Sequence, residues 1–217
     1  MSMIDQLLRA GVVPIFSHES PDTSLAVLRA AYEGGVRVFE YTNRQAQALA
    51  TFRQLAVVQQ REMPDLLLGI GTVFEADTAR QFIDAGARFV VAPVCDPAVG
   101  AVCQAHNVPW LPGCMTLTEI LTARRAGAAL IKVFPGEVVG PAFVRSVRSV
   151  MPDARLLVTG GVEPTRASLS TWLGAGAAGV GLGSQLFPKD VIAQHDMPAV
   201  TEKIRHVLQL YAEVTAS

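Results

Sequence analysis

Short apolar, β-branched runs recur along this chain, and between them apolar residues return every three or four positions. A short apolar run bounded by turn formers is the pattern of a strand buried on both faces, and the wider spacing is that of an amphipathic helix. Strands are therefore predicted at 12–16, 36–42, 66–71, 89–92, 110–112, 130–134, 156–159 and 178–182. Helices are predicted at 24–33, 46–60, 75–85, 97–106, 118–126, 141–150, 165–174 and 197–212. Several helices end in a similar phrase, such as Asp84-Ala85-Gly86-Ala87 and Arg125-Ala126-Gly127-Ala128. A glycine just past the last turn supplies the left-handed cap from which the next strand starts. Strand and helix alternating eight times imply a parallel sheet, and eight such units close as a single-domain (β/α)8 barrel spanning 1–217. An open doubly wound sheet would carry fewer units and a Gly-x-Gly-x-x-Gly turn after its first strand, which this chain lacks.

Composition narrows the partners. Half of the 217 residues are hydrophobic, 17% are charged, and the net charge is −1. Near-neutral charge gives no electrostatic reason to expect nucleic acid or an anionic membrane as partner. No apolar run reaches the ~18 residues that would span a bilayer. Residues 1–11 read as a short amphipathic N-terminal helix carrying Asp5 and Arg9, without the basic and apolar regions of a signal peptide. Cys95, Cys103 and Cys114 lack paired metal spacing and fit free thiols in a reducing, cytoplasmic setting. The four histidines are scattered and no two sit at ligand spacing, so no metal site is expected.

One residue breaks the pattern. Lys132 stands in the middle of the apolar run Leu130-Ile131-Lys132-Val133-Phe134. Burying an ammonium is costly, and a neutral amine is a nucleophile whose natural targets are carbonyl carbons. Period-two alternation puts Val36, Val38 and Glu40 on one strand face, and Leu130, Lys132 and Phe134 on another. If both faces point inward, an amine and a carboxylate meet at the mouth of the barrel, where the strands' C-terminal ends carry active sites. A buried Lys–Glu pair can also be purely structural. Taken alone, Arg44 in its loop reads first as a solvated surface residue, and Thr72 as a cap for the following helix. Gly160-Gly161 and Gly183-Ser184 fall at the ends of the seventh and eighth strands. Backbone amides at those two positions of a barrel often hold a phosphate.

These residues, in this order, resemble the family of 2-keto-3-deoxy-6-phosphogluconate (KDPG) and 4-hydroxy-2-oxoglutarate (KHG) aldolases. The matching stretches are Gly35 to Arg44, Gly69-Ile70-Gly71-Thr72-Val73, Pro112-Gly113, Ile131 to Pro135, Thr159-Gly160-Gly161-Val162 and Gly181-Leu182-Gly183-Ser184. The resemblance implies a TIM barrel assembled as a homotrimer, and a class I aldol cleavage that uses a covalent lysine imine, no metal and no other cofactor. It implies that Lys132 forms the Schiff base with a 2-keto acid and that Glu40 moves protons. Arg44 and Thr72 would hold the substrate carboxylate, with Phe134, Pro93 and Thr159 as further substrate-binding residues. Gly160, Gly161, Gly183 and Ser184 would hold a phosphate. The expected reaction is cleavage of a 2-keto-3-deoxy sugar acid, KDPG first, to pyruvate and an aldehyde (glyceraldehyde 3-phosphate). A KHG aldolase, or one for unphosphorylated or galactonate-type keto acids, is the alternative. A phosphosugar isomerase or transferase, or a non-catalytic sugar-acid-binding paralogue, would keep the barrel and change the chemistry. The chain departs from the family around Ser17, at residues 93–95, at residues 113–116 and at Gly136-Glu137, all expected on the sugar-chain end of the pocket.

Overall fold

The computed structural model describes residues 2–216; Met1 and Ser217, the outermost residues of the expected 1–217 domain, lie outside it. Among the described residues nine parallel strands form one sheet. They are β1 Val12–Phe16, β2 Val38–Thr42, β3 Leu67–Gly71, β4 Val90–Val91, β5 Trp110–Leu111, β6 Gly113–Cys114, β7 Ile131–Val133, β8 Leu156–Thr159 and β9 Gly179–Leu182. The helices are α1 Met3–Ala10, α2 Pro21–Glu33, α3 Ala48–Glu62, α4 Ala76–Asp84, α5 Pro97–Ala105, α6 Leu117–Arg125, α7 Gly136–Val150, α8 Arg166–Gly174, α9 Lys189–Ala193 and α10 Met197–Thr215.

The sheet runs β5-β4-β3-β2-β1-β9-β8-β7-β6, so its two edges are β5 and β6. Only Pro112 separates them in the chain, and the sheet closes on itself through that residue. Trp110 and Leu111 pair with Val90 and Val91 of β4, whereas Gly113 and Cys114 pair with Lys132 and Val133 of β7. Proline has no N–H to place in a ladder, so the fifth strand changes partner where it cannot donate. The Pro112 carbonyl still accepts from the Lys132 amide at 2.9 Å. The fold is thus the (β/α)8 barrel expected, with its fifth strand in two pieces.

Side chains alternate between two cores. Phe39, Tyr41, Ile131, Val133 and Val158 face outward and pack with the helices. Val13, Val38, Leu67, Phe89, Val91, Leu111, Leu130 and Leu157 fill the lower interior. Leu7 joins that interior cluster, with Met3, Ile4, Leu8 and Ala10 packed against it, so α1 plugs the barrel floor. Its start is set by a capping box: Ser2 Oγ accepts from the Asp5 amide at 3.1 Å, and Asp5 Oδ2 accepts from the Ser2 amide at 3.1 Å. The turns foreseen from the repeated helix endings are present, with Gly35, Gly86, Gly127 and Gly176 all at positive φ.

Beyond shifts of a few residues at element ends, three features differ from expectation. Val36 belongs to the outer core and precedes β2, so it does not share an inward face with Val38 and Glu40. The helix expected from 141 starts at Gly136, is interrupted at Gly140 (φ 71°) and resumes at Pro141, whose fixed φ suits a first turn. The short α9 was not foreseen; five residues are too few for a periodic signal.

Replacing Leu7 by Ala should open a cavity in the barrel floor. Denaturant unfolding should then report a loss of about 2–5 kcal/mol. A loss below about 1 kcal/mol would show that α1 is not part of the barrel's core.

Candidate active site

The apolar interior gives way to polar side chains toward the strands' C-terminal ends. The same period that places Val38 inward places Glu40 and Thr42 inward, and the one that places Leu130 inward places Lys132 and Phe134 inward. These residues line a cavity of about 600 Å³ at the mouth, together with Ser17, Arg44, Thr159, Gly160, Gly161, Gly183 and Ser184. A second cavity, of about 690 Å³, opens near the barrel floor beside α1 and α10. Its wall has arginines but no lysine, histidine or cysteine, so the carbonyl-directed nucleophile belongs to the mouth.

Lys132 is 6% exposed and Glu40 is 1% exposed. They feel each other's charge, yet no ion pair joins them. The gap is the useful feature: a carbonyl carbon can reach the amine while a carboxyl stands by to exchange protons. Lys132 Nζ lies 4.8 Å from the centroid of the Phe134 ring, which walls the amine on one side. Burial pushes the Glu40 carboxyl above its ordinary value, and the positive charges of Lys132 and Arg44 offset only part of that. Arg44 is exposed in the turn after β2 and, among the described residues, forms no ion pair. Its guanidinium is free to take a carboxylate.

Two buried oxygens on this wall lack a hydrogen-bond partner among the described residues: Glu40 Oε2 and Thr159 Oγ1. Unpartnered buried polar atoms are uncommon, and here both belong to side chains that line the cavity. Close packing makes room for Glu40. A Cβ on Gly71, which pairs with Thr42 across the sheet, would stand 1.8 Å from Glu40 Oε1.

The glycines divide into two kinds. Gly160 and Gly161 have positive φ (91° and 67°), and Cβ atoms there would meet Glu137 at 2.0 Å and 2.8 Å. Backbone conformation and the start of α7 therefore already require them to be glycines. Gly183 has no such requirement, because a Cβ on it would find nothing nearer than the Ile15 carbonyl oxygen at 3.7 Å. A glycine with room for a side chain, on a cavity wall, leaves that room to a ligand.

Nine of the eleven candidate residues meet at this cavity: Lys132, Glu40, Arg44, Phe134, Thr159, Gly160, Gly161, Gly183 and Ser184. Thr72 and Pro93 are not on its wall. Thr72 follows β3 at φ 61°, a strained conformation for a β-branched residue, and it does not cap α4, whose N-cap is Glu75. The Pro93 carbonyl turns toward β6, within 2.2 Å of where a Cβ on Gly113 would be. Of the departures from the family pattern, Ser17 and Glu137 line the cavity, but residues 93–95 and 113–116 do not. Cys114 alternates with inward-facing Gly113 and so points into the outer core. The three thiols are free, as expected, and burial raises the pKa of each.

The cavity wall also holds residues outside the eleven candidates. Thr42 donates to Ser17 Oγ at 2.7 Å, and both line the cavity. Glu137, Glu163, Gln185, Phe187 and Lys189 line it as well. Thr42 was findable, being two residues on from Glu40; Lys189 depends on α9.

A parallel barrel with a buried lysine and a buried, unpaired carboxyl at its C-terminal mouth defines a class of enzyme that attacks carbonyl carbons through an amine. Similarity to known proteins narrows the class. Residues 3–203 match the family described as KDPG and KHG aldolase. The 2-dehydro-3-deoxy-phosphogluconate aldolase of Treponema pallidum is 33% identical over 214 residues, covering 97% of this chain and 98% of that one. The 2-dehydro-3-deoxy-6-phosphogalactonate aldolase of Escherichia coli is 29% identical over 81% of this chain and 84% of its own. The structure of a KDPG aldolase from Legionella pneumophila, with pyruvate captured as a covalent carbinolamine, superposes with a TM-score of 0.83 at 25% identity, covering 91% of this chain and 94% of that one. The chain belongs to the KDPG and KHG aldolase family.

The raised Glu40 carboxyl fixes the sign of a pH effect. The native state holds this proton where the unfolded chain has released it, so this contribution to stability is present below the ordinary glutamate value of 4.5 and is lost as pH rises through the raised value. Glu40→Gln should therefore melt at a higher temperature than the parent near pH 8, with the difference shrinking toward pH 4. Thermal melts across that range check it; a Glu40→Gln protein less stable than the parent at pH 8 would mean that the carboxylate is well paired.

Proposed function

We propose that this chain is a class I aldolase cleaving a 2-keto-3-deoxy sugar acid, KDPG first, to pyruvate and glyceraldehyde 3-phosphate. The observation that carries the reading is Lys132, buried on the wall of one cavity with Glu40 and not ion-paired to it. In this reading Lys132 Nζ adds to the C2 carbonyl, and Glu40 relays the protons as the carbinolamine loses water. The resulting iminium is the electron sink for breaking C3–C4, a task that a metal performs in other aldolases, so the reaction needs none. Glu40 takes the proton from the C4 hydroxyl as the aldehyde leaves. The enamine is then protonated at C3 and hydrolysed to pyruvate and free Lys132. One carboxyl working with water in this way contributes ~10²–10⁴-fold.

Arg44 holds the substrate carboxylate with its planar fork. Phe134 walls the pyruvate half, and Thr159 Oγ1 is a free donor or acceptor for the substrate. Thr72 is off the cavity wall but follows Gly71, which packs closely on Glu40, and in this reading it reaches the substrate carboxylate from there. Pro93 is off the cavity wall, and in this reading it shapes the neighbouring strand end. Gly183 and Ser184 hold the phosphate with Gly160 and Gly161. One observation favours a second substrate class: Glu137 and Glu163 line the same cavity, and two carboxylates suit the uncharged hydroxyl tail of an unphosphorylated gluconate- or galactonate-type keto acid.

Exposed apolar side chains on consecutive units of the barrel support self-association as a homotrimer. They are Phe74, Val94, Met115, Leu117 and Leu121. No helix among the described residues is long and apolar enough to cross a membrane. With three free thiols, a reducing cytoplasm is the setting we assign.

Pyruvate release tests the reading across phosphorylated and unphosphorylated gluconate- and galactonate-derived keto acids and KHG. The account expects release from phosphorylated gluconate-type acid above the others; no release from any would overturn it. Gly183→Ala should raise KM for the phosphorylated acid by roughly 10-fold or more while its melting temperature stays near the parent's. An unchanged KM would remove Gly183 from the site.

A further inference from the structure

We propose that Lys189 sets the preference for a phosphorylated over an unphosphorylated tail; this rests on the aldolase reading above. Six charged side chains line the mouth cavity: Glu40, Arg44, Lys132, Glu137, Glu163 and Lys189. Lys132, Glu40 and Arg44 belong to the keto-acid end. The far end, where Gly160, Gly161, Gly183 and Ser184 lie, then has two carboxylates, Glu137 and Glu163, and a single cation. Without Lys189 that end would be doubly negative, and a phosphate dianion would be repelled from the amides that should hold it. Lys189 is therefore the side chain whose charge decides whether the glycine turns face a site that admits phosphate or rejects it.

The lysine is placed there by its neighbours. Leu186 and Phe187, just before it, are buried, and so is Ile192 after it. The Phe187 ring packs on Phe16 at 4.9 Å and on Phe39 at 6.3 Å between centroids. This pins the segment after β9 to the barrel mouth, so α9 begins on the wall of the same cavity as the glycines, with Lys189 as its exposed first residue. Among the described residues Lys189 forms no ion pair, although Glu137 and Glu163 line the same cavity. Its charge is not consumed within the protein and remains available to a ligand. An ammonium on a four-carbon stem suits a phosphate that must be bound and then released as part of a product aldehyde.

The test is the ratio of kcat/KM for the phosphorylated acid to that for its unphosphorylated counterpart, measured for the parent, Lys189→Met, Lys189→Arg and Glu163→Gln. Lys189→Met should lower the ratio roughly 10- to 100-fold, through KM for the phosphorylated acid. Lys189→Arg should restore most of it, and Glu163→Gln should raise it. Competitive inhibition by inorganic phosphate should weaken in Lys189→Met in parallel. An unchanged ratio in Lys189→Met, or an equal loss on both substrates, would overturn the inference. So would a parent enzyme with no preference for phosphate. Exchange of pyruvate methyl protons with solvent deuterium by the parent protein needs no phosphate and reports the aldolase reading separately. Without exchange that reading falls; with exchange and no effect at Lys189, only this inference falls.

Discussion

Lys132 and Glu40 are both buried on the wall of one cavity without forming an ion pair, and the rest of the structure is what makes that arrangement tenable. Two ionisable groups out of water are costly unless they pair, and a close pair would tie up the amine. The barrel avoids both outcomes by geometry. The lower interior is filled by Val13, Val38, Leu67, Phe89, Val91, Leu111, Leu130 and Leu157 and is closed from below by α1. The space left for water and substrate beside Lys132 and Glu40 is the cavity at the mouth. Gly71 leaves space for the Glu40 carboxyl, and Phe134 stands beside the amine. The cost appears as a carboxyl held above its ordinary pKa, which suits a group that must both give and take protons.

In the proposed reading this division of the barrel also divides the substrate. The end assigned to the keto acid is built from inward positions of β2 and β7, whose alternation is fixed by the sheet, so it is set by the fold itself. The far end is built from turns: Gly160-Gly161 after β8, Gly183-Ser184 after β9, the first turn of α7 and the start of α9. Turns vary without disturbing the sheet, and that end carries the charges proposed to distinguish one sugar acid from another. A single fold can thereby keep one reaction and change its aldehyde.

Much of this was legible in the sequence because the barrel repeats. Eight alternations named the architecture, and period two grouped Glu40 with Val38 and Lys132 with Leu130; that both faces point inward, and that Val36 does not share the first, is shown only by the folded barrel. Three things were not legible, each for a physical reason. Pro112 splits the fifth strand where the sheet closes, and closure is a property of nine strands together, not of a local run. Gly160 and Gly161 read as a phosphate cradle, yet Glu137, distant in sequence by more than twenty residues, already demands them; Gly183 is the glycine that the protein itself does not need. Lys189 sits on a helix too short for periodicity, held in place by a phenylalanine that packs across β1 and β2.

The central claim is that Lys132 forms the covalent bond to the keto acid. Borohydride reduction in the presence of pyruvate, followed by peptide mass mapping, tests it most directly. The account predicts one reduced pyruvyl adduct per chain, on the peptide bearing Lys132 and absent in Lys132→Ala. An adduct on Lys189 or Lys203 instead, or none while pyruvate release proceeds at full rate, would contradict it.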